Sequence, residues 1–230
     1  YISLWNQLPQ AYIQLLMNAR MDDIHLFAHL GLTTHPQYTD IKTRLDKAAC
    51  IKLLLSEYTL PAEFGYTITG EKFENSLPDD DLVNALLDSA HMPARETGRQ
   101  WTEKYSTPLF QQSRFIAGLL LARFPEIRNW GKEIISRQSL ADDLRIAVTG
   151  KTIAGLMGFT GAKAEEEALI REATDNLFAL FGREIRETGL PVIADLLKHE
   201  HPAVLLAGLK FLKAKADKIK PEELSDDFIF

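Results

Sequence analysis

Apolar residues recur along this 230-residue chain at steps of three and four, the spacing of one face of an α-helix. The clearest helix covers residues 164–188. Its apolar positions are Leu169, Ile170, Ala173, Leu177, Leu180, Phe181 and Ile185. Three glutamates fill its first turn and two arginines its last, so charges of both signs complement the helix dipole. We expect this helix to end at Gly189, after which Pro191 can begin the next one.

The same spacing predicts shorter helices along the rest of the chain. Most apolar segments are about three to four helical turns long, and only a few residues connect one segment to the next. The best strand candidate, residues 66–69, ends at Gly70 and is too short to anchor a sheet, so we interpret it as a continued helix or a loop. We therefore predict an all-α protein of eleven to thirteen helices.

A Leu-Leu doublet followed by a polar turn and then Pro or Asp recurs along the chain. Residues 54–62 align without a gap with residues 86–94, residues 15–24 fit with Asp22 in place of Pro, and residues 196–204 fit with one deletion. The first three doublets are 39 and 32 residues apart, near the period of HEAT and armadillo repeats. Because one helix pair cannot bury its apolar face alone, we predict an α-α superhelix, a HEAT/armadillo-like solenoid of stacked antiparallel helix pairs. The alternative is that Leu-Leu doublets are common in any helical protein.

A narrower resemblance comes from segments near both ends of the chain. They are residues 4–16 (LWNQLPQAYIQLL), 24–28 (IHLFA), 35–38 (HPQY) and 196–212. These segments resemble the helical region of bacterial WGR-domain proteins, which include proteins labelled molybdate metabolism regulator. The resemblance implies a HEAT-like module of a larger bacterial protein; its motifs concern packing and imply no chemistry. The WGR signature itself is not in these 230 residues.

Both ends of the chain suggest an excerpt of a longer polypeptide. The chain opens at Tyr1, already within helical spacing, and closes on residues 225–230 (SDDFIF), where two Phe and an Ile have nothing after them to pack against. We expect a single HEAT-like helical-repeat domain over residues 1–220 and a C-terminal tail over residues 221–230.

Composition narrows the classes of protein that this chain can be. Hydrophobic residues make up 46% and charged residues 25%, an ordinary globular balance that excludes a disordered chain. The longest nearly apolar run, residues 115–124, is too short to cross a membrane. The lone Cys50 fits a reducing, cytoplasmic location, and we expect it to be a buried, inert thiol. A net charge of −6 gives no global attraction to nucleic acid or anionic lipid.

Motifs for metal, phosphate or catalytic chemistry are incomplete. His25 and His29 lie four residues apart, but the Glu of a zincin helix and a third ligand are missing. Residues 79–81 (DDD) lack the alternating spacing of a calcium loop and predict a helix N-cap. Residues 150–152 (GKT) lack the first glycine of a phosphate loop, since Arg145 stands in its place. We expect no metal, no cofactor and no catalytic set, hence no enzyme.

Cations on two predicted helices are the candidate binding residues. Five lysines lie within eleven residues at positions 210, 213, 215, 218 and 220. In a solenoid, equivalent helices line one curved face, so cations of separate units could join into a groove. The residues we select for this basic face are Arg95, Arg99, Lys104, Lys210 and Lys213. The alternative is an ordinary solvated surface, because Glu96, Glu103 and Asp217 interrupt the cations.

Three classes of function remain open from the sequence. We favour a non-catalytic interaction module that binds a protein or neighbouring domains of its own chain. A nucleic-acid-binding regulatory module that uses the basic face is the alternative, although the net charge of −6 opposes it. An enzyme with a dispersed site comes last, and a deep polar pocket with convergent ionisable groups would favour it.

Overall fold

The structure is a computed structural model that describes residue 5 and residues 7–74, 79–161 and 164–219. Within these residues the chain is all-α, as predicted, with fourteen α-helices and no strand. There are more helices than the eleven to thirteen expected from spacing, since short segments such as Tyr38–Arg44 and Ser106–Leu109 form separate helices. Residues 66–69, the best strand candidate, lie inside a helix.

The chain divides into two compact units, residues 1–106 and 107–230. The helices of the first unit are α1 (Pro9–Asn18), α2 (Asp22–Thr33), α3 (Tyr38–Arg44), α4 (Lys47–Leu54), α5 (Thr59–Phe73), α6 (Asp80–Leu87) and α7 (Met92–Lys104). After α8 (Ser106–Leu109) at the boundary, the second unit has α9 (Ser113–Leu121), α10 (Pro125–Ser136), α11 (Asp142–Met157), α12 (Ala164–Glu187), α13 (Leu190–Leu197) and α14 (Pro202–Lys215), followed by a 3₁₀ turn, Ala216–Lys218. A single domain over residues 1–220 remains a prediction, and the tail lies outside the described residues.

Helices in the first unit pack as successive pairs. The pairs are α1 with α2, α4 with α5, and α6 with α7. Equivalent helices of neighbouring pairs also touch: α1 packs on α4, α2 on α5, and α4 on α6. The core between the first two pairs includes Tyr12, Leu16, Leu32, Leu53 and Ile68. Cys50 is fully buried in this core, which confirms the prediction of a buried thiol.

The second unit repeats this arrangement. Helices α9 and α10, α11 and α12, and α13 and α14 form successive pairs. The first helices α9 and α11 pack together, and the second helices α10, α12 and α14 follow one another side by side. Helix α12 confirms the long helix predicted over residues 164–188, with one deviation. Its backbone kinks at Phe181, where φ is −130° and ψ is 31°.

Four helix pairs share one turn and one close approach. In each pair a glycine of the second helix lies eleven residues after a leucine that ends or nearly ends the first helix. The leucine and glycine positions are 54 and 65, 87 and 98, 120 and 131, and 197 and 208. A Cβ atom on any of these glycines would lie 2.7–3.0 Å from the nearest atom of that leucine or of the leucine just before it. Only glycine therefore lets the second helix sit this close to the first.

Side-chain hydrogen bonds of the turn repeat in the same register. Ser56 and Ser89 accept hydrogen bonds from the backbone N–H two residues later, at 3.2 and 3.3 Å. This register pairs Ser56 with Ser89, so its spacing is one residue longer than that of the sequence alignment, which matched Pro61 with Pro93. The two prolines occupy different positions of the first helical turn. A proline is tolerated there because first-turn N–H groups have no partner within the helix, so it is a poor marker of register.

Candidate functional site

Arg95, Arg99 and Lys104, selected for the basic face, lie on α7 in the first unit. The Arg95 Nη1 donates to the carbonyl oxygens of Ser89 and Ala90, at 2.7 and 3.2 Å, so it holds the turn before its own helix. Arg99 is half-buried, and the ammonium of Lys104 is exposed, 4.9 Å from the centre of the Tyr105 ring. Their part in binding remains a prediction, but Arg95 also has a structural role.

Arg128 repeats the role of Arg95 in the second unit. It precedes Gly131 by three residues, just as Arg95 precedes Gly98. Its Nη1 donates to the carbonyl oxygens of Ala122 and Arg123 at 2.6 and 2.9 Å. Its guanidinium also forms an ion pair with Glu172 at 2.5 Å, and its side chain is only 2% exposed. An arginine at this position of the turn is therefore part of the helix pair, whatever the function.

Lys210 and Lys213, also selected for the basic face, lie in a groove between α12 and α14, here the α12–α14 groove. Two hollows of about 280 and 410 Å³ make up this groove. The first is lined by Arg171, Thr174, Ala203, Leu206, Ala207, Leu209, Lys210 and Lys213. The second is lined by Phe178, Gly182, Arg183, Arg186, Glu187, Ala214 and Lys218.

The packing of α14 leaves one of its faces exposed to solvent. One face, which includes Val204, Gly208 and Phe211, is buried against neighbouring helices. Gly208 brings the helix close to α13, and the Phe211 ring meets Phe178 of α12 edge-on, with ring centres 5.3 Å apart. On the opposite face, Leu206 and Leu209 are 53% and 46% exposed. Two large apolar side chains thus lie open to solvent one turn from two lysines.

Cations dominate the lining of the α12–α14 groove. The six are Arg171, Arg183, Arg186, Lys210, Lys213 and Lys218, against one acid, Glu187. This sign is opposite to the net charge of −6 of the whole chain. Cations therefore outnumber acids among the residues that line the groove, although the chain as a whole is acidic.

Four of these six cations have acidic partners. Lys210 bridges to Asp175 at 2.7 Å, and Lys218 bridges to Glu187 at 2.5 Å. Arg171 pairs with Glu167 one turn earlier, and Arg183 pairs with Asp142. All of these pairs are exposed, and exposed ion pairs contribute at most about 1 kcal/mol each. Within the described part of the chain, Lys213 and Arg186 have no such pair, so they are the cations most available to a ligand.

An ion pair between Arg145 of α11 and the buried Glu184 supports the second half of α12. The Glu184 carboxylate accepts hydrogen bonds from Nε and Nη2 of Arg145 at 2.7 and 3.0 Å. Arg145 Nη2 also donates to the Leu180 carbonyl oxygen at the kink, at 2.8 Å. Arg145 holds the pKa of the Glu184 carboxyl below its ordinary value, against the opposing effect of burial. This network holds the backbone on which Arg183 and Arg186 stand.

Lys215 and Lys220, the remaining lysines of the predicted cationic run, are not among the residues described as lining the groove. The ammonium of Lys215 donates to the Thr188 and Arg186 carbonyl oxygens at 2.8 and 3.3 Å. It thereby satisfies carbonyl groups at the end of α12, a common role for a lysine at a helix C-terminus. Lys220 lies outside the described residues.

The motifs tested for metal or phosphate binding have structural partners. Asp79 accepts from the Asp81 N–H and so caps α6, as predicted, and its bridge to Lys47 at 2.7 Å lowers the pKa of its carboxyl. His25 donates to the Ala19 carbonyl oxygen, whereas the His29 ring packs edge-on against Phe64. Residues 150–152 lie inside α11, where the backbone cannot form a phosphate loop.

Burial affects two titratable side chains in the first unit. Desolvation lowers the pKa of the His25 imidazole and raises the pKa of the Cys50 thiol. The raised pKa keeps Cys50 protonated and poorly reactive, as the sequence predicted.

No protein-family model, curated protein or solved structure matches this chain. The resemblance to the helical region of WGR-domain proteins therefore remains a prediction. Across the described helices, none combines the length and the apolar character needed to traverse a bilayer.

Three cations of the groove were missed from the sequence: Arg171, Arg183 and Arg186. The sequence assigned the two later arginines only to the end of a helix dipole. One signal was available, because Arg171, Thr174, Phe178, Gly182 and Arg186 recur at steps of three and four along α12. That stripe could have been recognised as a second face of the helix. The sequence does not indicate which helix packs beside this face.

Proposed function

We propose that this chain is a non-catalytic helical-repeat interaction module whose α12–α14 groove binds a protein segment. The observation that carries the proposal is the pair of exposed leucines, Leu206 and Leu209, bordered by cations in one groove. Large exposed apolar side chains grouped with a polar rim are typical of protein-binding surfaces.

A HEAT/armadillo-like superhelix is the architecture that we propose for the module. The turn repeated in four helix pairs supports it, as does the packing of equivalent helices on one another within each unit. In such a stack the second helices of successive pairs line one face, and α12 and α14 are both second helices. We further propose that the module acts in the cytoplasm as a part of a larger bacterial protein. Its partner is then a separate protein or a neighbouring domain of the same chain.

A protein partner is favoured over nucleic acid by the groove's lining. The whole chain carries a net charge of −6, which opposes the approach of a polyanion such as nucleic acid. Nucleic-acid backbones also gain little from Leu206 and Leu209, whereas an apolar side chain of a protein partner would remove them from water. Burial of apolar surface contributes about 25 cal/mol per Å².

The proposal can be tested by comparative affinity capture from a bacterial lysate with three forms of the chain. They are the natural chain, the groove variant Leu206→Glu/Leu209→Glu, and the control Ile146→Glu on α11, where Ile146 is 62% exposed. Each captured protein is then purified and its affinity for the three forms is measured by titration calorimetry. We expect at least a tenfold loss of affinity in the groove variant and none in the control. Circular dichroism checks that all three forms are folded.

Two results would contradict the proposal. One is equal affinity of purified partners for the groove variant and the natural chain. The other is binding of a DNA or RNA duplex that weakens steeply with salt and disappears in Lys210→Glu/Lys213→Glu, which would establish the nucleic-acid alternative.

A further inference from the structure

We propose that the occupant of the α12–α14 groove is an acidic amphipathic helix of a partner protein. This inference rests on the proposed function and specifies the chemistry of the partner. Three features of the groove support it: the length of the groove, the positions of its leucines and cations, and the weak or absent ion pairs of those cations.

The length of the groove fits a helix of about four turns. Its lining on α12 extends from Arg171 to Arg186 or Glu187. At about 1.5 Å per helical residue, this stretch is roughly 23 Å long when measured along α12, which kinks at Phe181. A ligand helix of about sixteen residues would follow it from end to end. Binding of an amphipathic helix in a groove between two helices is a recurring mode of recognition.

Leucines line only one of the two hollows, whereas cations line both. The first hollow is lined by Ala203, Leu206, Ala207 and Leu209 together with three cations. The second has no leucine and is lined by three further cations, Arg183, Arg186 and Lys218. A complementary helix carries apolar residues at steps of three and four over the half that meets the first hollow, and carboxylates along both halves.

The cations can accept carboxylates of a partner at low cost. Lys213 and Arg186, one in each hollow, have no acidic partner among the described residues. Lys210 and Lys218 hold Asp175 and Glu187 in exposed pairs, which are worth at most about 1 kcal/mol each. Partner carboxylates can therefore share or exchange these pairs. A cationic partner would instead face Lys213 and Arg186, which have no acidic partner among the described residues, and would be repelled by them.

The test uses fluorescein-labelled synthetic peptides of sixteen residues and the full chain. The acidic peptide has leucines at steps of three and four in one half and glutamates in both halves. One control peptide has the same composition in an order that breaks the apolar face, and a second has lysine for every glutamate. Fluorescence anisotropy gives the dissociation constants at low and at physiological ionic strength.

Three protein variants distinguish peptide binding in the groove from an effect of the net charge of the chain. Lys213→Glu/Arg186→Glu reverses the two cations without acidic partners. Lys132→Glu/Lys151→Glu makes the same charge change at exposed positions on α10 and α11. Leu206→Glu/Leu209→Glu replaces the two exposed leucines of the first hollow. All three variants change exposed side chains, and circular dichroism checks their folding.

We expect the acidic peptide to bind the natural chain and the Lys132→Glu/Lys151→Glu control equally. Its affinity should fall at least tenfold in each groove variant, and the reordered peptide should bind at least tenfold more weakly. The lysine peptide should bind only Lys213→Glu/Arg186→Glu. Absence of acidic-peptide binding, or equal binding to the groove variants, would overturn this inference. If captured partners still distinguish the Leu206→Glu/Leu209→Glu variant while the peptide does not bind, the proposed function stands and only the acidic helix is refuted.

Discussion

Gly65 and Gly70 on the same helix, α5, should respond in opposite ways to replacement by alanine. Gly65 is the glycine of the repeated turn, where α5 meets the end of α4. A Cβ atom there would lie 2.7 Å from Leu53 Cβ and 2.8 Å from the backbone nitrogen of Leu54. At Gly70, a Cβ atom would have no neighbour within 4 Å.

The expected magnitudes follow from two opposing effects. Alanine is favoured over glycine in a helix interior by about 1 kcal/mol, and both substitutions gain this amount. Gly65→Ala must also push α5 away from a backbone that cannot rotate aside, and overpacking of this kind costs about 1–3 kcal/mol. We therefore expect Gly70→Ala to raise the free energy of unfolding by up to about 1 kcal/mol. Gly65→Ala should lower it by up to about 2 kcal/mol, the overpacking cost less the gain in helix propensity.

Urea unfolding followed by circular dichroism in the far ultraviolet measures both changes. The two variants carry the same chemical change on the same helix, so each is the control for the other. Because a Cβ atom on Gly208 would lie 2.9 Å from Leu196 Cβ, Gly208→Ala should behave like Gly65→Ala, but in the second unit. An increase in stability for Gly65→Ala, similar to that for Gly70→Ala, would refute the argument that these glycines fix the distance between paired helices.

Three further predictions concern buried groups. Arg128→Met should lower the free energy of unfolding by about 3 kcal/mol in urea titrations, because the buried carbonyl oxygen of Ala122 and the half-buried one of Arg123 lose their donor. Glu172→Gln, which keeps an acceptor oxygen at the half-exposed end of the pair, should cost less. Glu184 contributes stability above its ordinary pKa of 4.5, and this contribution is lost as the pH falls through the lowered pKa of the folded state. The urea midpoint of the second unit should therefore decrease less steeply with acidification in Glu184→Gln than in the natural chain, and an equal decrease would contradict the role of Arg145. Cys50 should react with a thiol reagent only at the rate at which the first unit opens, so labelling that is fast and independent of urea would contradict its burial.

The sequence by itself determined the helices and the faces that they bury. Leu169, Ile170, Ala173 and Leu177 predicted the stripe of α12, and all four are buried. Such predictions succeed because side chains three and four residues apart share a face whatever lies opposite. The cap at Asp79 was also predictable, since it depends on residues close in sequence, and the apolar neighbours of Cys50 on its helix predicted that this thiol is buried.

The register of the repeated turn and the groove were decided only by tertiary structure. Pro61 and Pro93 misled the alignment by one residue, because a proline fits several positions of a first turn, whereas Gly65 and Gly98 must each meet the doublet of the preceding helix. For the cations, Lys210 and Lys215 are equally basic in the sequence. One lies in the α12–α14 groove and the other caps the end of α12, since the partner of a long charged side chain depends on which helix packs beside it. Spacing along the chain carries no information about that neighbour.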